Sequence, residues 1–310
     1  MIVVAGESLV DLLVRADGSV RAVPGGGPYN TARALARLGS TVAFAGCLSD
    51  DRFGRMLRSQ LERDGVALDL AIRTDAPTTL AVAEIEADGT AHYHFYLTGT
   101  SASGLLPSHL ARLPDETTVL HIGTLGLVME PIGSTIELLV GSVADSVVVF
   151  ADPNYRPAAI ADAPAYRDRL HRLMPRVDVL KVSVDDLAWL HPGAEPLAAA
   201  RTMVARGPVV ALVTDGDAPV RVVTRSTVVE LPVPSVAVVD TVGAGDAFGA
   251  GFVAAWTDAG HGRTDLGDLD QVLAAAVYAI TAGAMTATRH GADPPTRDEV
   301  SQGTTTLSSP

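Results

Sequence analysis

Asp240-Thr241-Val242-Gly243-Ala244-Gly245-Asp246-Ala247-Phe248-Gly249-Ala250-Gly251 is the stretch from which the rest of this chain is best read. It follows an apolar, Pro-flanked segment, 236–239, that reads as an extended strand, and it opens a helix of small residues running to about Trp256. Gly243, Ala244 and Gly245 carry no bulk, so their backbone N–H groups can approach an anion at the helix N-terminus, where unpaired donors and the helix dipole favour negative charge. Asp246 falls in the first helical turn, where the same dipole favours its ionised form. A carboxylate beside an anion cradle is placed to act as a general base next to a transferring group. A Gly/Ala-rich helix start also permits close helix–sheet packing, and the stretch by itself leaves both readings open.

Working outward, short β-branched apolar runs recur at 2–5, 41–45, 119–122, 147–151, 177–182 and 209–213. Nearly continuous apolar runs of this length are what strands buried on both faces of a parallel sheet require. Between them, 32–38, 130–144, 165–174 and 197–206 are helical in pattern, the first and last closed by Gly39 and Gly207. The alternation predicts a doubly wound α/β domain. Two segments break it: 9–23 and 76–98 each carry an Asp-Gly pair, Asp17-Gly18 and Asp88-Gly89, the signal for a two-residue hairpin. These hairpins are expected to form a small antiparallel sheet beside the main domain, discontinuous in sequence. The main domain then comprises 1–8, 24–75 and 99–300, with a third hairpin over 220–231 at its edge and a loose polar tail at 301–310.

The chain has 310 residues, 47% hydrophobic and 19% charged, enough for one large α/β domain with a small appendage and unlike a disordered chain. Acidic residues outnumber basic ones 36 to 23, and a net charge of -13 argues against nucleic acid as a partner. Lys181 is the sole lysine and no G-x-x-x-x-G-K-[ST] occurs, so a Walker A site is excluded. A nicotinamide fingerprint fits poorly, because the third glycine, Gly249, falls one position late. Cys47 is alone and reads as buried packing, the eight histidines do not organise into a metal set, and no membrane segment or basic leader is expected. The expectation is a cytoplasmic protein.

The Asp240–Gly251 stretch resembles the C-terminal signature of the ribokinase family of carbohydrate kinases, D-T-x-G-A-G-D followed by small residues, at every defining position. Its N-terminal counterpart is Pro24-Gly25-Gly26-Gly27-Pro28-Tyr29-Asn30, with Gly46 to Gly54 carrying Asp50, Asp51 and Phe53. Asp152-Pro153-Asn154-Tyr155-Arg156 and Lys181-Val182-Ser183 lie between, spaced as in fructokinase-like members. The resemblance implies a three-layer α/β/α sandwich with a β-sheet lid, which agrees with the two Asp-Gly hairpins. It implies ATP and Mg2+, and leaves a monovalent cation open. Carried over position by position, it makes Asp246 the base that takes a proton from a sugar hydroxyl, and Gly243, Ala244 and Gly245 the anion hole. Asp11, Gly25, Gly26, Asn30 and Arg156 become sugar contacts. Lys181, Ser183, Thr214 and Gly216 fall on the nucleotide side, and Asp186 takes the place of the family's water-mediated magnesium carboxylate. Ser49, Arg33 and Pro219 depart from the family pattern.

Kinases of 2-keto-3-deoxygluconate carry an arginine where this chain has Leu97, and a buried carboxylate needs a paired cation, so a neutral sugar is favoured. The runs 77–83 and 289–295 look closest to fructokinases, which points to fructose phosphorylated at its 6-hydroxyl. Another neutral sugar, 2-keto-3-deoxygluconate, a nucleoside, and a non-catalytic sugar sensor are the alternatives. The lid, with Tyr93 and Phe95 or their alternating neighbours exposed, is expected to pair two copies into a homodimer.

Overall fold

A computed structural model describes residues 1–86, 91–110 and 112–307, so the Asp88-Gly89 turn lies outside the described residues. In chain order the elements are β1 (Ile2–Ala5), β2 (Leu9–Arg15), β3 (Val20–Gly25), α1 (Gly27–Arg37), β4 (Val42–Ala45), β5 (Cys47–Ser49), α2 (Arg52–Asp64), β6 (Ile72–Thr74), β7 (Leu80–Ile85), β8 (Ala91–Tyr96) and β9 (Val119–Gly123). There follow α3 (Ile132–Ser142), β10 (Val148–Asp152), α4 (Ala163–Leu173), β11 (Val179–Ser183), α5 (Val184–Leu190), α6 (Pro196–Val204), β12 (Val210–Asp215), β13 (Ala218–Val223) and β14 (Val228–Leu231). The last three are α7 (Ala244–Asp258), α8 (Leu269–Ala287) and α9 (Arg297–Leu307).

The main sheet runs β14-β13-β12-β11-β10-β9-β1-β4, parallel from β12 to β4, with the expected hairpin β13–β14 at one edge. Its apolar runs alternate between two buried layers. Ile2, Val4, Phe150 and Leu212 pack with α1, α2, α7 and α8, while Val3, Ala5, Val149 and Val213 pack with α3, α4 and α6. That double burial is why the runs carry no polar phase. Successive strands step outward on either side of β1, so the order reverses at β1/β9, and a crevice opens there at the carboxyl ends of the strands.

The lid is the four-stranded sheet β3-β2-β7-β8. It is mixed rather than antiparallel: β2 and β7 pair in parallel, Asp11 opposite Ala81. Each hairpin leaves the main domain on its first strand, and joining two such hairpins by their outgoing strands makes that central pair parallel. The Asp17-Gly18 turn also differs from the two-residue form. Arg15 N–H donates to Ser19 O at 3.0 Å, closing a three-residue loop with Gly18 at φ 82°.

Two further expectations are corrected. Residues 236–239 form no strand; the Val239 and Asp240 N–H groups donate to Ala287 O, at 2.9 and 3.2 Å, outside any ladder. The tail is helical as far as Leu307, because Val300 is buried and Thr296 and Glu299 cap the helix start. Separately, α8 passes a length-and-composition test for a membrane span, but half of it is buried, against α7, as in a core helix.

Candidate active site

The crevice is assembled from strand ends. Gly26, at φ 106°, caps α1 at its N-terminus with Pro28 in the first turn, so Asn30 lies one turn inside the helix and not at its cap. From there its Nδ2 donates to Asp246 Oδ2 at 2.9 Å, joining sugar-side and anion-side segments 216 residues apart. Asp246 is 7% exposed in the first turn of α7. Burial raises its pKa, while the Asn30 hydrogen bond and the Lys181 and Arg156 charges pull it back.

Gly243 caps α7 at φ 78°, a conformation glycine adopts without strain. A Cβ there would lie 2.8 Å from Ala292 Cα, so the turn is pressed against the following loop. Of the three expected anion-hole amides, the Ala244 N–H is spent inside the turn, donating to Thr241 O at 3.2 Å. The Gly243 and Gly245 N–H groups meet no acceptor among the described residues and both residues are partly exposed, so two donors remain for a ligand. Beneath Gly245 lies Lys181, whose Nζ would be 2.9 Å from a Cβ placed there. Burial works against the Lys181 charge, yet Asp152 at 2.9 Å, with Asp186 behind it, holds its pKa above the ordinary value.

Asp11, on β2, lies over Gly25, where any side chain would collide with its carboxylate. Burial pushes its pKa up to about 6; the Arg156 charge opposes the shift and the Asp246 charge adds to it, so the three groups share one electrostatic site. Arg156 itself is exposed and folded onto its own loop, donating to Asn154 Oδ1 at 2.7 Å. Thr214 pairs in register with Ser183 at the ends of β12 and β11, and Gly216, at φ 57°, makes the turn into β13. These sit along the outer edge of the crevice.

Asp186, expected to reach magnesium through water, is also engaged by the protein. Its Oδ2 accepts from Ser183 N and Oγ, at 2.7 and 2.8 Å, and its Oδ1 from Tyr155 N at 3.0 Å, so it is buried as the capping partner of α5. Among the described residues no group of three His, Cys, Asp or Glu side chains comes together to hold a metal. The water-mediated contact expected of Asp186 requires no such group.

The departures acquire roles. Arg33 is buried, paired with Asp64 at 2.6 Å and donating to Ala292 O at 3.0 Å, so it braces the loop behind Gly243. Ser49 Oγ accepts from Asp51 N at 3.0 Å, and Asp51 caps α2 and ties Thr78 at the base of the lid. Pro219 is an exposed residue of β13. His121 is buried, with its pKa pushed down to about 3, and Cys47 is buried with its thiol raised to about 11.

Two residues went unassigned from sequence. Glu7, fully buried after β1, accepts from Gly27 N at 3.2 Å and Gly126 N at 2.8 Å. Thr124, after β9, sits at φ 52°, strained for a β-branched residue and placed where functional strain collects. The Gly6-Glu7 dipeptide inside an apolar segment was the available signal for the first; backbone strain at a threonine leaves none.

A lidded crevice at the switch point, with free helix N-terminal amides, a buried lysine and a carboxylate beside them, defines an enzyme that moves an anionic group onto a small acceptor. The comparisons with known proteins make the class specific. The pfkB family carbohydrate kinase profile matches residues 1–299, and the chain belongs to that family. It is similar to a fructokinase of Rhizobium leguminosarum bv. trifolii, 35% identical over 82% of this chain and 79% of that one, and to a fructokinase of Klebsiella pneumoniae, 33% identical over 93% and 94%. A fructokinase with bound ATP from Xylella fastidiosa superposes with a TM-score of 0.91 at 27% identity, covering 99% of each chain. The fold is thus ribokinase-like, and the protein is a phosphotransferase acting on a sugar hydroxyl.

Proposed function

We propose that this chain is a cytoplasmic fructokinase that transfers the γ-phosphoryl group of ATP to the 6-hydroxyl of fructose. The observation that carries the reading is the Asn30–Asp246 hydrogen bond, which holds a buried carboxylate beside the open amides of Gly243 and Gly245. In this reading Asp11, Gly25, Gly26 and Asn30 hold the sugar, with Arg156 at its rim. Lys181, Ser183, Thr214 and Gly216 line the path of the nucleotide.

A carboxylate, even with its pKa raised, is too weak a base to ionise an alcohol before reaction. Asp246 instead orients the hydroxyl and accepts its proton as charge develops on the attacking oxygen in a loose transition state. The Gly243 and Gly245 amides, the α7 dipole and Lys181 stabilise the transferring phosphoryl group. Alignment supplies much of the remaining rate. Magnesium, in this reading, would be carried by the triphosphate, which provides most of its ligands, and would offset the charge on the phosphates. Leu97 packs among apolar neighbours and supplies no cation for a sugar acid, which supports a neutral substrate. Two copies pair through the outer lid face, where Val20 and Tyr96 are 61% and 60% exposed.

The test is ADP release with fructose, ribose, 2-keto-3-deoxygluconate and adenosine. Fructose is expected to give the highest kcat/KM. A higher value for another acceptor reassigns the substrate, and thermal stabilisation by a sugar without turnover favours a sensor.

A further inference from the structure

We propose that Glu7 is a positioning residue for the sugar: its carboxylate clamps the two loops that flank Asp246 and thereby sets where the acceptor hydroxyl is held. The inference rests on the kinase reading above, and Glu7 is 0% exposed, so it acts through its neighbours and not on substrate.

A carboxyl group withdrawn from water costs several kcal/mol unless donors replace the lost hydration, so its partners show what it is for. Here each oxygen is committed to a different loop. Oε1 accepts from the N–H of Gly27, the first residue of α1, at 3.2 Å, and Oε2 from the N–H of Gly126 at 2.8 Å. Gly27 continues the glycine loop Gly25-Gly26 and lies three residues before Asn30, the donor to Asp246. Gly126 closes the turn that carries Thr124 in its left-handed conformation.

The two loops touch on the far side as well. A side chain on Gly27 would collide with Thr124 Oγ1 and come within 3.4 Å of Asp246 Oδ1. The Gly26 backbone meets Glu7 directly, a Cβ there falling 2.9 Å from Glu7 O. Glu7 therefore cross-links the end of β1, the start of α1 and the end of β9 under the position of the base. Burial raises its own pKa to about 7, with Asp246 among the charges it senses, so the group stands inside the site's field.

Only a carboxylate offers two acceptor oxygens in this space. Glutamine has the same shape but presents one acceptor and one NH2 donor, so one of the two loop amides would face a donor. The experiment compares wild type with Glu7→Gln in steady-state kinetics, varying fructose and ATP separately, with sugar-induced thermal shifts alongside. An unpaired buried amide is expected to lower kcat/KM for the sugar about 10–100-fold, with KM for ATP unchanged within a factor of about two. Should Glu7→Gln prove insoluble, Glu7→Asp, one methylene shorter and able to reach only one amide, is read by the same split. A folded variant with wild-type sugar kinetics, or an equal loss toward sugar and ATP, would overturn the proposal. A wild type that neither turns over nor is stabilised by any sugar would instead sink the kinase reading, and this inference with it.

Discussion

At the scale of single residues, Asp246 and Asn30 stand out in two glycine-rich segments, while Asp11, in Glu7–Asp11, was marked by the family resemblance alone. The hydrogen bond between Asn30 and Asp246 was not legible, since no local pattern reports that residues 216 apart will meet. Asp186 was read from its place in the motif; three residues after Ser183, it also closes a capping box, a contact the motif did not report. The Asn30 contact predicts a pH effect with a defined sign. It favours the ionised form of Asp246 and so lowers a pKa that burial has raised. In Asn30→Ala that pKa rises further. The acid limb of the kcat/KM profile, where Asp246 loses its ability to accept a proton, is then expected to move to higher pH. An unmoved limb, measured between pH 4 and 9, would remove Asp246 from the proton-transfer step.

At the scale of elements, strands buried on both faces were read to within two residues, because β-branched runs with no polar phase suit little else. Residues 236–239 failed because an extended apolar segment needs a ladder partner, and its last N–H groups turn instead to Ala287. The helix α9 was missed although Thr296 and Glu299 spell a capping box, hidden by the Ser/Thr-rich run that follows. The turn before α7 makes a prediction of its own. Gly243→Ala meets both a left-handed backbone and the Ala292 backbone, while Gly245→Ala meets only the side-chain end of Lys181. The first substitution should cost the larger share of kcat, by at least about tenfold over the second, since misplaced oxyanion donors cost about 10²–10³ in rate. Equal losses would mean that the Gly243 conformation does not shape the anion site.

At the scale of the whole molecule, the three layers and the discontinuous lid followed from the alternation and its two interruptions, but the parallel β2–β7 pairing did not, because it depends on both hairpins leaving the domain in the same direction. The two faces of the lid also differ. Tyr93 and Phe95 stack on each other, and the Tyr93 hydroxyl senses the Asp11 and Arg156 charges, which puts this pair on the site side. The outer face is left with His92, His94 and Tyr96. Tyr96→Arg is therefore expected to convert a dimer to monomer in sedimentation velocity while the isolated chain keeps its fold; an unchanged sedimentation coefficient would rule out pairing through this face. The proposed reaction, however, needs one carboxylate to serve both substrates. The most direct test is Asp246→Asn, assayed with fructose and ATP and titrated with fructose alone. Fructose binding should persist while kcat falls by about 10²–10⁴, the usual worth of a positioned base. Turnover at the wild-type rate would contradict the assignment.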